Sequence, residues 1–161
     1  MNLESMLPMR SALQCVIPIL LLSNSLFAQK PAPKAATPAS QTYTLTIYVD
    51  GVNQQGGNIG VLLFRNDKGW PEDRFAAYKD LVEKAHPGTV TVKIPDLPPG
   101  DYAVALVHDV NMNHKVDKNW IGKPTEQWGM SNNPHALIKA PPFSKAKFTL
   151  NHDSEIHIQL Q

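Results

Sequence analysis

From residue 42 onward the apolar side chains recur at every second position in short runs, and Gly, Pro, Asn and Asp separate the runs. This pattern constrains the fold most, because a strand sends successive side chains to opposite faces whereas a helix groups residues three and four apart. In residues 42–49, Tyr43, Leu45, Ile47 and Val49 share one face while Thr42, Thr44, Thr46 and Tyr48 share the other. Residues 89–94 repeat the alternation with Val90, Val92 and Ile94 inward, and 155–160 do so with Ile156, Ile158 and Leu160. Residues 144–150 place Ala146, Phe148 and Leu150 inward. Residues 59–65 and 101–107 are apolar at nearly every position, which predicts strands covered on both faces. One stretch departs from the pattern. In residues 74–85, Phe75, Tyr78, Leu81 and Val82 recur at helical spacing behind Pro71, Glu72 and Asp73, predicting a short helix stopped by Pro87 and Gly88.

Parallel sheets need a crossover between strands, and a single helix cannot supply the set. The fold class is therefore all-β: an antiparallel β-sandwich, immunoglobulin-like or transthyretin-like, of about seven strands with one short helix. Within it, residues 95–102 form a proline-rich turn that delivers Tyr102 to the start of a strand, where its hydroxyl can bond back to the corner.

The chain is expected to divide into a cleavable signal peptide (1–28), a Pro/Ala-rich flexible linker (29–41) and one sandwich domain (42–161). Arg10 precedes the apolar run 11–27, and Ala28 is a small residue suited to cleavage. An anchor needs roughly 20 uninterrupted apolar residues, and Pro18 and the Ser23-Asn24-Ser25 triplet break this run. The expected location is the periplasm or the extracellular space, with no transmembrane span after cleavage. Cys15, the only cysteine, lies within the signal, so the mature domain depends on core packing rather than a disulfide. Lys plus Arg number 15 against 14 Asp plus Glu, a balance that offers nucleic acid no basic surface.

Beyond the strand at 101–107 comes His-Asp-Val-Asn-Met-Asn-His-Lys-Val-Asp, residues 108–117. Asp109, Asn111, Asn113 and Asp117 fall at positions one, three, five and nine of a cation loop. Lys115 would supply a backbone carbonyl at position seven, and Glu126 would close the shell from outside. Calcium is the ion such oxygens suit. His114 stands where a glycine makes the sharp bend, Trp120 stands where a bidentate Glu closes the shell, and the loop has two carboxylates. These departures predict a weak site, on the order of 10⁻⁴ to 10⁻³ M. The alternative is a loop without metal, whose Asp and Asn side chains cap their own backbone. His108, His114 and His135 lack the spacing of a zinc or copper site.

The long connection that follows carries Trp120, Trp128, Ser131, Asn132 and Asn133. As a ligand surface its rings would stack on an apolar face while its amides fix hydroxyls; alternatively the tryptophans plug the open end of the sandwich. The partners this fits are an unidentified small molecule, a glycan or an envelope protein. No catalytic residue is assigned. Residues 129–131 lack the second glycine of a nucleophile elbow, and Asp109 or Asp117 beside Glu126 makes an ordinary carboxylate pair. A non-enzymatic binding or accessory module therefore heads the readings, followed by a periplasmic hydrolase using loop carboxylates and a purely structural envelope protein.

The order of motifs also resembles a known family. Leu97-Pro98-Pro99-Gly100-Asp101-Tyr102-Ala103-Val104, then His108, Asp109, Asn111, Asn113 and Asp117, then residues 121–133 and 142–146, are similar to domain-of-unknown-function family 2141 of secreted bacterial proteins. The likeness covers residues 42–161. It implies secretion and a compact β-domain, and no established activity. His114 replaces the family's usual glycine and Met130 its usual phenylalanine.

Overall fold

A computed structural model describes residues 41–135 and 139–161; the signal segment and the linker up to residue 40 lie outside them. Eight strands and one helix follow in the order β1 (Tyr43–Val52), β2 (Asn58–Phe64), β3 (Lys79–Lys84), β4 (Gly88–Leu97), β5 (Gly100–Asp109), β6 (Trp128–Met130), α1 (Phe143–Ala146), β7 (Phe148–Leu150) and β8 (Ser154–Gln159). They form a β-sandwich. One sheet runs β4-β1-β8 and the other β3-β2-β5-β6, with β7 also paired to β5.

The alternation seen in the sequence is what fills the space between the sheets. Leu45, Ile47 and Val49 of β1 and Val90, Val92 and Ile94 of β4 face Ile59, Val61 and Leu63 of β2 and Tyr102, Val104 and Leu106 of β5 in one buried cluster. The Tyr102 hydroxyl donates to the Pro98 carbonyl at 2.7 Å, the corner bond its position predicts. Burial of this ring pushes the phenol above its ordinary value, and the Arg65 guanidinium, 5.3 Å from the ring centroid, pulls the other way.

Four features differ from the sequence-based expectation. Residues 74–85 are not helical: 71–78 are turns, and β3 pairs antiparallel with β2 from Leu63↔Lys79 to Asn58↔Lys84. Only Leu81 of β3 is half-buried, so the strand is held by main-chain bonds along the β2 edge, and its Lys, Asp and Glu side chains keep that edge soluble. The helix lies instead at Phe143–Ala146, where a strand was expected to begin. β5 runs on through Asp109, so the polar loop starts at Val110. Finally, β8 pairs with β1 in parallel, whereas all other strand pairs are antiparallel.

β6 and β8 bring the two sheets together along one side. Trp128 and Gln161 exchange backbone bonds of 3.2 and 3.0 Å. Gly129 permits the approach, since a Cβ there would lie 2.8 Å from Ile158 Cγ2 and 3.1 Å from the Gln159 carbonyl oxygen.

Candidate functional site

β5 is apolar on both faces because each has something to cover. Its inner face meets the main core. Ala103 on the outer face joins Met130 and Ala146 in a second cluster, with Trp70, Trp128 and Phe143 packed against it. Trp70 holds this layer in place: its ring meets Phe64 and Phe143 edge-on, at 5.3 and 5.8 Å, and its indole N–H donates to the Pro141 carbonyl at 2.8 Å.

Beside that layer the outer face is open, and a groove of ≈ 760 Å³ runs over it. Its floor is Gly60 and Leu62 of β2, Val82 of β3, Ala105 and Val107 of β5, and Trp128 and Met130 of β6. Pro71, Glu72 and Arg74 form one wall, and parts of the segment between β5 and β6 form the other, from His114 to Lys118 and from Ile121 to Pro124. An ion pair joins the walls. Lys118 Nζ lies 2.7 Å from both carboxylate oxygens of Glu72. Arg74 pairs with Asp80 at 2.6 Å on the same side. Small residues, Gly60 and Ala105, stand among the bulkier floor side chains. Gly60 has no side chain, and a Cβ there would come within 3.2 Å of Val107 Cγ1.

The second wall is shaped by the Asp/Asn loop. Asp109 is only 3% exposed, and its Oδ1 and Oδ2 accept from the backbone N–H groups of Asn113 (3.1 Å) and His114 (2.8 Å). Asn111 Oδ1 also accepts from Asn113 N–H at 3.1 Å, and Asn113 Oδ1 accepts from Lys115 N–H at 2.8 Å. Asp117 accepts from both amide groups, Asn111 Nδ2 at 2.7 Å and Asn113 Nδ2 at 2.9 Å. Glu126 accepts from the N–H groups of Val110 and Asp117, each at 3.2 Å, and so spans both ends of the loop. Met112 and His114 sit at φ 59° and 60°, the left-handed region that side chains other than glycine seldom adopt.

These side chains thus converge on one turn of chain, with the amide nitrogens of Asn111 and Asn113, not their oxygens, directed at Asp117. Among the described residues no three His, Cys, Asp or Glu side chains form a metal-holding group. A cation here would draw on the loop's carboxylates together with the amide oxygens and the Lys115 carbonyl. His108 is buried, and its Nε2 donates to the Gly56 carbonyl at 2.9 Å, while no described partner reaches its Nδ1.

The other sequence-derived site residues divide. Trp128 forms part of the groove floor. Trp120 is 96% exposed and plugs nothing. Ser131 is buried, donating to the Ala146 carbonyl at 2.6 Å and accepting from Val104 N–H at 2.9 Å. Asn132 donates to the carbonyls of Lys145 and Lys147. Asn133 donates to the His157 carbonyl and accepts from Gln159 N–H. These last three brace the chain around α1 and β8 and do not line the groove. Gly60, Leu62, Ala105 and Val107 were not singled out from the sequence. The signal that could have found them is a small residue at alternate positions of an otherwise bulky apolar strand, Gly60 between Ile59 and Val61 and Ala105 between Val104 and Leu106.

A family model described as uncharacterised protein conserved in bacteria, DUF2141, matches residues 47–159. The chain belongs to this family. The DUF2141 match runs from within β1 to the last residue of β8, and so takes in the groove floor and the Asp/Asn loop. No curated protein and no solved structure matches the chain.

Proposed function

We propose that this chain is an exported, non-enzymatic binding module whose ligand site is the groove on the outer face of the β3-β2-β5-β6 sheet. The observation that carries the reading is the groove itself, ≈ 760 Å³ with a mainly apolar floor and charged walls joined by the Glu72–Lys118 pair. Small-molecule sites characteristically combine that size and apolar lining with a few placed polar groups. A binding role rather than hydrolysis is favoured by the loop carboxylates: Asp109 and Glu126 accept from the loop's own backbone N–H groups and Asp117 from the Asn111 and Asn113 side-chain amides, which leaves them poorly placed as acid and base. The ligand class this suits is a small, largely apolar molecule with a polar end. Titration with anilinonaphthalene sulfonate, an apolar anionic fluorophore, tests it against Gly60→Val. Valine fills the floor and suits a strand, so the fold should hold while affinity falls at least about tenfold. Equal affinity in both proteins would remove the groove as the site.

A weak calcium site at Asp109, Asn111, Asn113, Lys115, Asp117 and Glu126 is the second reading. It draws on the convergence of these residues and requires the two asparagine amides to turn their oxygens inward. Melting with millimolar calcium against chelator reads it out: a rise in midpoint, lost in Asp117→Asn, supports the ion. Superimposable melts would leave the loop self-capped.

A further inference from the structure

The segment between β5 and β6 sorts its charges and apolar groups by direction. Between residues 109 and 126 the acids are Asp109, Asp117 and Glu126, and each is engaged within the segment, Asp109 and Glu126 by backbone N–H groups and Asp117 by the side-chain amides of Asn111 and Asn113. The bases His114, Lys115, Lys118 and Lys123 are all exposed. At the tip stand Trp120, 96% exposed, and Ile121, 64% exposed. This tip is not loose chain. Asn119 alone makes four hydrogen bonds across it: its N–H to the Lys123 carbonyl, its carbonyl from Gly122 N–H, and its Oδ1 from the N–H groups of Ile121 and Lys123. Below it Thr125 N–H bonds the Asp117 carbonyl at 2.8 Å. An ordered turn therefore holds a tryptophan and an isoleucine out in water, next to lysines. Phe75, 94% exposed, stands next to Arg74 on the opposite wall of the groove.

From this arrangement we infer that the Trp120–Ile121 turn docks the protein on an anionic membrane surface. Indole and isoleucine enter the headgroup boundary, where an amphipathic ring is at home, and Lys115 and Lys123 meet the lipid phosphates. The groove mouth is carried to the bilayer by the Glu72–Lys118 pair that ties its walls together. The inference stands independently of what the groove holds. A bilayer accounts for the pattern better than a protein partner, because an apolar tip flanked by exposed lysines, with the acids of the same segment held in its own hydrogen bonds, matches the layered chemistry of an anionic leaflet.

The N-terminal apolar run would bind lipid by itself wherever it is retained, so the readout belongs to Trp120. Tryptophan emission of the whole chain is measured on phosphatidylglycerol–phosphatidylcholine vesicles whose acyl chains are brominated, beside Trp120→Phe. The expected result is quenching in the parent that Trp120→Phe lacks, on anionic vesicles and not on phosphatidylcholine alone. In about 1 M salt, where screening acts within about 3 Å, the quenching should fall. Lys115→Glu with Lys123→Glu should weaken it at least about tenfold. Because Trp120 is almost fully exposed, melting of Trp120→Phe should match the parent and show that both are folded. Equal quenching in parent and Trp120→Phe, equal quenching on neutral vesicles, or indifference to the double charge reversal would each overturn the inference. So would a dimer in sedimentation that Trp120→Phe abolishes while vesicles leave Trp120 unquenched, which would make the turn a contact between copies.

Discussion

At the scale of single residues the Asp/Asn loop is a balance between strain and capping. His114 occupies a left-handed position at φ 60°, where a residue bearing a Cβ loses about 1–2 kcal/mol. What holds it there is the buried Asp109 carboxylate, one oxygen on His114 N–H and the other on Asn113 N–H. Charge-assisted bonds of this kind contribute about 1.5–3 kcal/mol each, enough to outweigh the strain. His114→Gly should therefore stabilise the domain, by up to about 1 kcal/mol once the extra freedom of the unfolded glycine is subtracted. Asp109→Ala should destabilise it by about 2–3 kcal/mol. Denaturant unfolding measures both, and a His114→Gly variant less stable than the parent would show that the left-handed turn carries no strain. The Asp and Asn spacing was legible in the sequence because it is a local property. Which way the amides face was not, since Asn111 and Asn113 are oriented by Asp117 and by backbone groups further along the loop.

At the scale of elements, legibility followed burial. β1, β4 and β5 were readable because a buried face leaves its period in the chain. β3 was missed because an exposed edge strand needs no apolar face, and the chance spacing of Phe75, Tyr78, Leu81 and Val82 imitates a helix. β6 was missed because three residues are too few to show a period. Its place depends on Gly129, against which Ile158 and the Gln159 carbonyl pack. Gly129→Val should thus push β6 from β8, cost about 2–3 kcal/mol as overpacking, and speed hydrogen exchange at the N–H groups of Trp128 and Gln161. Exchange there unchanged from the parent would mean that the two sheets are not fastened along this side. The groove was invisible in the sequence for a related reason: its floor comes from four strands, and the pairings Gly60↔Val82, Leu62↔Ala105, Gly60↔Val107, Ala105↔Met130 and Val107↔Trp128 bring those residues together.

At the scale of the whole molecule, acid should loosen the sandwich at two surface ties. Hydrogen bonds from Lys147 and Thr149 hold the Asp101 carboxyl below its ordinary 3.8, and hydrogen bonds from His157 and Thr89 do the same for Asp50. A carboxylate with a depressed folded pKa contributes stability above its unfolded value and loses it as pH falls through the folded one. Stability should therefore decline below about pH 4. Asp101→Asn should be less stable than the parent at neutral pH, with the two converging in acid; parallel curves throughout would mean that the Lys147 tie contributes nothing. Neither tie touches the groove, whose floor rests on packed strands and whose walls rest on the Glu72–Lys118 pair and the capped loop. A rigid floor under a preformed opening is what a binding module needs, since little ordering cost is left to the ligand. The most direct test is to map backbone amide shifts while anilinonaphthalene sulfonate is added. The predicted result is saturable shifts concentrated at Gly60, Leu62, Ala105, Val107 and Trp128, with the β4-β1-β8 sheet silent. Shifts centred on that other sheet, or none at saturating probe, would contradict the groove as the site.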